Sequence, residues 1–213
     1  MNETYSKIYF IDEADNIIST LYSHGIMFDN IEYYEKIKIY ILSGYSFIED
    51  RNYLYSYDMN KFDRLLALPR SVQPAVSCIS LDLIYLTIIV NKRNFILIVN
   101  LASYKLDYVE IDVYPTILSC YKNDTYIWSI KNEISTLSII NKNNFVSLIS
   151  IPSSLSSGGM MIFNGSISYT SLYHINDNQI YNQIVTIINI SSCNNSCVST
   201  LNISYQIVGL NYQ

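Results

Sequence analysis

The sequence predicts an all-β fold, on three observations. The apolar residues are mostly Ile, Val, Leu and Tyr, with Tyr alone occurring 21 times, and β-branched and aromatic side chains suit half-buried pleated surfaces. The helix formers Ala, Glu, Lys and Gln are sparse. Short apolar runs of strand length alternate with polar turns, and the pattern repeats.

The repeat is clearest from Gln73 onward. One unit reads "QPAVSCISLDLIYLTIIVNKRNFILIVNLASYKLDYVEIDV", the next "YPTILSCYKNDTYIWSIKNEISTLSIINKNNFVSLISI", and a third begins "PSSLSSGGMMIFNGSISYTSLYHIND". A Pro opens each unit, at 74, 115 and 152. A short apolar strand follows, ending near Cys78, Cys120 and Phe163. A second strand, "IYLTII", "YIWSI" or "ISYTSL", comes next, and in the first two units an outer hairpin completes the set. Upstream, "IKIYILSG" and "YLYSYDMNKFDRLLALP" supply the same tail of a unit. Four short strands in about 40 residues is the signature of a β-propeller blade, which buries its faces only against neighbouring blades.

The order of Pro, strand and Tyr-centred strand resembles the YVTN family of propeller repeats. "QPAVSCISLDLIYLTI" keeps the Pro, Ser80 and Asp82, and Tyr85-Leu86-Thr87, but has no Gly after the Asp and no Asn after the Thr. "YPTILSCYKNDTYIWS" keeps Pro115, Asp124 and Tyr126. The resemblance covers roughly residues 35–175. It implies a fold and not an activity.

Residues 1–213 read as one propeller domain with two closures open. In the preferred reading the N-terminal hairpin, which lacks inner strands, pairs with the C-terminal segment 197–209 to give five blades. In the other, 179–208 form the last blade's own outer hairpin, giving four blades plus an N-terminal hairpin. The segment Tyr22–Ile48 is the longest that departs from the blade pattern.

Residues 11–16 read "IDEADN" and contain the letters of a helicase box. Such a carboxylate pair needs a phosphate-cradling loop ending in Gly-Lys, and none of the six Gly here is followed by Lys. Aligned on the repeat, Asp12–Asn16 falls at the turn of an outer hairpin, as do Met59–Asp63, Leu101–Lys105 and Asn141–Asn144. Asp and Asn suit such turns because they cap nearby amides and tolerate left-handed backbone.

Composition excludes other classes. The net charge is −5, and the largest basic cluster, Asn91–Asn94, reads as a turn, so nucleic acid is not an expected partner. The longest apolar run, Leu83–Val90, falls far short of the ~20 residues of a membrane-spanning helix. The N-terminus "MNETYSKIYF" lacks the basic and long apolar regions of a secretion leader. His24 and His174 lie in different units, and no hydrolase or metal motif surrounds them. The expectation is therefore no catalytic residue, no metal and no cofactor. Cys193 and Cys197 frame "CNNSC", which suits a small disulfide loop, free thiols or, less well, a metal. Cys78 and Cys120, at one repeat position, are expected as small buried hydrophobes. Asp82 and Asp124 are expected to cap their turns.

Sequons stand at Asn2, Asn123, Asn164, Asn189, Asn194 and Asn202, candidate glycosylation sites on a surface rich in Asn, Ser, Thr and Tyr. Only 15% of residues are charged, against about 25% in ordinary soluble domains. Tyr serves interfaces well, burying a large ring while its hydroxyl keeps a polar partner. Tyr33, Tyr34 and Tyr45, within the departing segment, are the expected contact residues. An outward-facing surface without a leader fits a virion protein, at the tail or surface, contributing to assembly or host attachment. In composition the chain resembles small tail or virion proteins of spindle-shaped archaeal viruses. That resemblance implies other virion or surface subunits as partners, homo- or hetero-oligomeric, and a host receptor or glycan as target. The alternatives are a propeller enzyme of lactonase or glycosidase type and a cellular surface-binding propeller.

Overall fold

The computed structural model describes residues 5–69, 76–121, 124–131, 134–141, 144–152, 160–163, 166–176, 180–189 and 198–206. Every regular element among them is a strand. A hairpin of β1 (Tyr5–Ile11) and β2 (Ile17–His24) comes first. The first blade is β3 (Ile26–Tyr34), β4 (Ile39–Ser46), β5 (Arg51–Tyr57) and β6 (Phe62–Ala67). The second is β7 (Ser77–Ser80), β8 (Leu83–Val90), β9 (Arg93–Asn100) and β10 (Leu106–Ile111). The third is β11 (Pro115–Tyr121), β12 (Asp124–Lys131), β13 (Ile134–Asn141) and β14 (Asn144–Pro152). The fourth is β15 (Met160–Phe163), β16 (Ser166–Asn176), β17 (Ile180–Asn189) and β18 (Val198–Gln206). Each blade is an antiparallel meander in chain order, and β1–β2 forms a two-stranded sheet.

The first strands of successive blades touch: β3 lies on β7, β7 on β11, and β11 on β15. That contact order places them innermost, with the blades radiating outward. β17 pairs with β18 over Ile180–Ile188, so the described residues of segment 179–208 are the two outer strands of the fourth blade. Among the described residues β1 pairs with β2 and not with a C-terminal strand. The sheet pairing is thus that of the second closure rather than the preferred strap. Pro115 and Pro152 bound the third blade; Pro74 lies outside the described residues.

The core is a stack of face-to-face layers. Tyr34, Ile41, Leu54 and Leu68 of the first blade pack on Ile84, Leu86, Ile88, Leu97 and Val99 of the second. The second blade's other face, with Tyr85, Ile96, Ile98, Val109 and Ile111, packs on Leu118, Ile127 and Ile140 of the third. Because both faces are covered, "LIYLTIIV" and "NFILIVN" are apolar at nearly every position instead of alternating. Phe10 and Leu21 of the hairpin cover the remaining face of the first blade, against Leu42, Tyr53, Tyr55 and Tyr57.

The segment Tyr22–Ile48 does not depart from the blade pattern: it holds β3 and β4, the inner half of the first blade. β3 carries a register shift against β4 between Phe28 and Asn30, yet it exposes alternate residues throughout. Its signal was hidden because the exposed positions include Met27, Ile31 and Tyr33 and the inward ones Asn30 and Glu32. Gly44 faces Phe28 across this shift, where an added Cβ would stand 2.8 Å from the Met27 carbonyl oxygen.

Tyr55, among the largest fully buried side chains, has no hydrogen-bond partner for its hydroxyl among the described residues. Burial pushes that phenol up to about 12. A buried polar group without a partner costs about 1–3 kcal/mol. Tyr55→Phe is therefore expected to stabilise the fold by about 1 kcal/mol, raising Tm by about 2–4 °C. A fall in Tm on calorimetry would mean the hydroxyl is satisfied.

Candidate functional site

The helicase-like letters form a turn cap. Asp12 Oδ1 accepts hydrogen bonds from the Ala14 and Asn16 amides at 2.9 and 2.8 Å, and Asn16 Nδ2 donates to Oδ2 at 3.0 Å. Asp15 takes the left-handed conformation, φ 62°. These bonds, led by the Asn16 side chain, hold the Asp12 carboxyl below the usual carboxylate range. Asp58 repeats the device on Asn60 and Lys61, with Met59 at φ 74°. Asn100 repeats it on Ala102 and Ser103, with Tyr104 at φ 56°. Asn141 pairs with Asn144 across the fourth such connection.

Cys78 and Cys120 are corrected from separate buried hydrophobes to a disulfide between β7 and β11, with Cα atoms 5.6 Å apart and a sequence separation of 42. The reason is geometric. Equivalent positions on adjacent innermost strands face each other around the ring, at a distance a disulfide spans. Two cysteines at one repeat position was the available signal. Cys193 and Cys197, like Asn2, Asn123, Asn164 and Asn194, lie outside the described residues. Asn189 ends β17 and Asn202 lies within β18. His24 ends β2 and His174 lies in β16, in different sheets.

The three expected contact tyrosines separate. Tyr33 is 49% exposed, its ring 5.1 Å from that of Tyr40. Tyr45 is half-buried, donates to Asp50 and stacks edge-on with Phe47 at 5.1 Å. Tyr34 is corrected: at 7% exposure it belongs to the layer between the first two blades, because β3 turns its even positions inward there.

Two surface features remain. The first is the outer face of the hairpin. Its inner face is buried on the first blade, with Phe10 4.6 Å from Tyr40 and 5.1 Å from Tyr57, and Ser19 Oγ 2.7 Å from Tyr57 Oη. Its outer side nevertheless carries Tyr9, Ile11, Ile17, Ile18 and Tyr22, all between 47% and 66% exposed. Lys7 lies over the Tyr9 and Tyr22 rings, 4.4 and 4.9 Å from their centroids.

The second is a groove of about 540 Å³ where the β3–β4 turn meets the β7–β8 turn, lined by Tyr33, Tyr34, Glu35, Lys36, Ile79, Leu81 and Asp82. Asp82 was expected to cap its own turn. Instead its carboxylate reaches the first blade, accepting from Tyr34 Oη and from Lys36 Nζ at 2.7 Å. Lys36, then Tyr34, hold the Asp82 carboxyl below its usual range. On the same inner strand, burial pushes Glu32 up, opposed by a hydrogen bond from Ser77 Oγ at 2.6 Å.

The two carboxylates have opposite pH signatures. Asp82 is depressed on folding, so its contribution is present above the unfolded value and lost as pH falls through the folded one. Glu32 is raised, so its contribution is present in acid and lost as pH rises through its folded value. Tm measured against pH should therefore fall less steeply in acid for Asp82→Asn. Glu32→Gln should melt above wild type at neutral pH and converge with it in acid. A Glu32→Gln variant less stable at neutral pH would contradict this.

No family model and no curated protein matches the chain. Solved structures do match. TolB from Acinetobacter baumannii superposes with a TM-score of 0.54 at 14% identity, over 85% of this chain and 46% of that one. An acylaminoacyl peptidase, in complex with Z-Gly-Gly-Phe-chloromethyl ketone, gives 0.54 at 10% identity, over 83% of this chain and 32% of that one. A subtype N10 neuraminidase-like protein of A/little yellow-shouldered bat/Guatemala/060/2010 gives 0.50 at 9% identity, over 93% and 62%. The chain thus spans less than half of the first two, and nothing in these likenesses supports the resemblance to archaeal viral proteins. At such identities they show a fold alone, and that fold is the β-propeller.

Proposed function

We propose that the chain is a non-enzymatic interaction propeller that docks other subunits, its own copies or different chains, through the outer face of the β1–β2 hairpin. The observation that carries this reading is the exposure of Tyr9, Ile11, Ile17, Ile18 and Tyr22 on a sheet whose opposite face is already buried. A strand pair apolar on both sides is built for the middle of a stack, and contiguous exposed apolar surface marks interaction sites. The disulfide between Cys78 and Cys120 supports an oxidising, outward-facing setting. A virion surface or tail, in assembly or host attachment, is the finer reading; it draws on the low charge and the Tyr- and Asn-rich surface, and a cell surface is its alternative.

Sedimentation tests the reading. The wild-type chain is expected to associate, and a chain with Ile17→Lys and Ile18→Lys to sediment as monomer with an unchanged melting curve. A chain that buries less than about 800 Å² in its native assembly, the range of incidental contacts, would overturn it.

A further inference from the structure

The groove between the first two blades points to a second site, independent of the hairpin face, and we propose that it binds a neutral oligosaccharide. Its volume, about 540 Å³, lies within the ~300–1,000 Å³ of ligand sites. Its polar groups are both donors and acceptors, and they are held in place. Asp82 is fixed from the neighbouring blade by Tyr34 and Lys36. The Lys36 ammonium spends part of its donor capacity there and keeps the rest for the groove, since an ammonium has three protons. Glu35 lies beside it and is exposed.

The charges disfavour an anion. Lys36 is paired with Asp82 at 2.7 Å, and Glu35 leaves the groove with a net negative balance. What remains is a surface for hydroxyl groups, which accept from an ammonium and donate to carboxylates.

The rim supplies the complementary apolar part. Leu81 stands at the turn with φ 53° and is 69% exposed. Met59 and Tyr104 take the same conformation in their hairpin turns; here the turn leaves an apolar side chain on the groove. Tyr33 stands beside it, 49% exposed. A pyranose ring offers a C–H face to such a pair and an equator of hydroxyls to Asp82, Glu35 and Lys36.

The experiment is saturation-transfer NMR and calorimetric titration of the whole chain with a panel of neutral oligosaccharides of hexose, deoxyhexose and N-acetylhexosamine units. The expected result is saturable binding by at least one, with its signals transferring from Tyr33 and Leu81. Tyr33→Ala should weaken it about 2- to 10-fold, the worth of one aromatic stacking contact. Its ring also packs on Tyr40 at 5.1 Å, so a small fall in Tm is expected with it, and Leu81→Asn, which suits the left-handed backbone, is the second variant that separates loss of binding from loss of stability. Three results would each overturn the proposal: no saturable binding across the panel, binding that both variants leave unchanged, or groove resonances that shift with protein concentration alone, which would make the groove a contact between copies.

Discussion

Cys78→Ser or Cys120→Ser is expected to lower Tm by about 8–16 °C. The closed loop is 42 residues, and chain entropy assigns a loop of that length about 4 kcal/mol of stabilisation. In a domain of this size each kcal/mol moves Tm by about 2–4 °C. The position favours a large effect. The bond ties β7, at four residues one of the shortest strands, to the innermost strand of the next blade, and Cys78 is buried at 7% exposure within the layer it shares with Leu118 and Ile127. Scanning calorimetry checks it, with wild type under reductant as control: the reduced protein should melt with the serine variants. Variants melting within about 2 °C of oxidised wild type would mean that the disulfide leaves the unfolded chain unconstrained. The same experiment bears on setting, because a chain that leans this heavily on one disulfide folds best in an oxidising compartment.

What the sequence conveyed and what it withheld follow one physical division. Local devices were legible. Asp12, Asp58 and Asn100 cap turns with side-chain bonds spanning two to four residues, so the turn residues announce themselves in a short window. The two-sided burial of Leu83–Val90 was legible as a continuous apolar run. Features set by how blades meet were not. Cys78 and Cys120 became partners only when the strands bearing them were placed side by side. Asp82 looked like a turn residue until Lys36 arrived from another blade, and Tyr34 looked like its exposed neighbour Tyr33 until strand alternation put it inside. The inner half of the first blade was hidden because β3 places Asn30 and Glu32 on its inward side and Met27, Ile31 and Tyr33 on its exposed side, so polarity does not track burial along it. The choice between closures depended on whether β18 pairs with β17 or with the N-terminus, which both strands permit by composition.

Phe10→Ala is expected to release the hairpin and with it the proposed docking face, while leaving the blades folded. Phe10 is 6% exposed and sits between Tyr40 and Tyr57. Truncating a buried Phe costs about 3–5 kcal/mol, and an isolated two-stranded hairpin is marginal at best in water. Among the described residues, the other hairpin side chains in that core are Leu21 and, partly buried, Ile8. The Ser19–Tyr57 and Ser6–Ile26 hydrogen bonds are worth about 0.5–1.5 kcal/mol each, too little to hold the hairpin in place. Opening should be local rather than global. Hydrogen exchange should then show residues 5–24 losing protection, while the strands from Ile84 to Val99 keep theirs and the main melting transition stays in place. Tyr9→Ala, one residue away on the opposite face, is the informative contrast. Its ring is 47% exposed, lies outside the core cluster that holds Phe10 and has Lys7 over it at 4.4 Å, so protection of the hairpin should survive while association weakens. If Phe10→Ala keeps both protection and association, the hairpin is anchored by something other than its inner face. If Phe10→Ala loses protection yet association persists, the outer face of β1–β2 is not where the subunits meet.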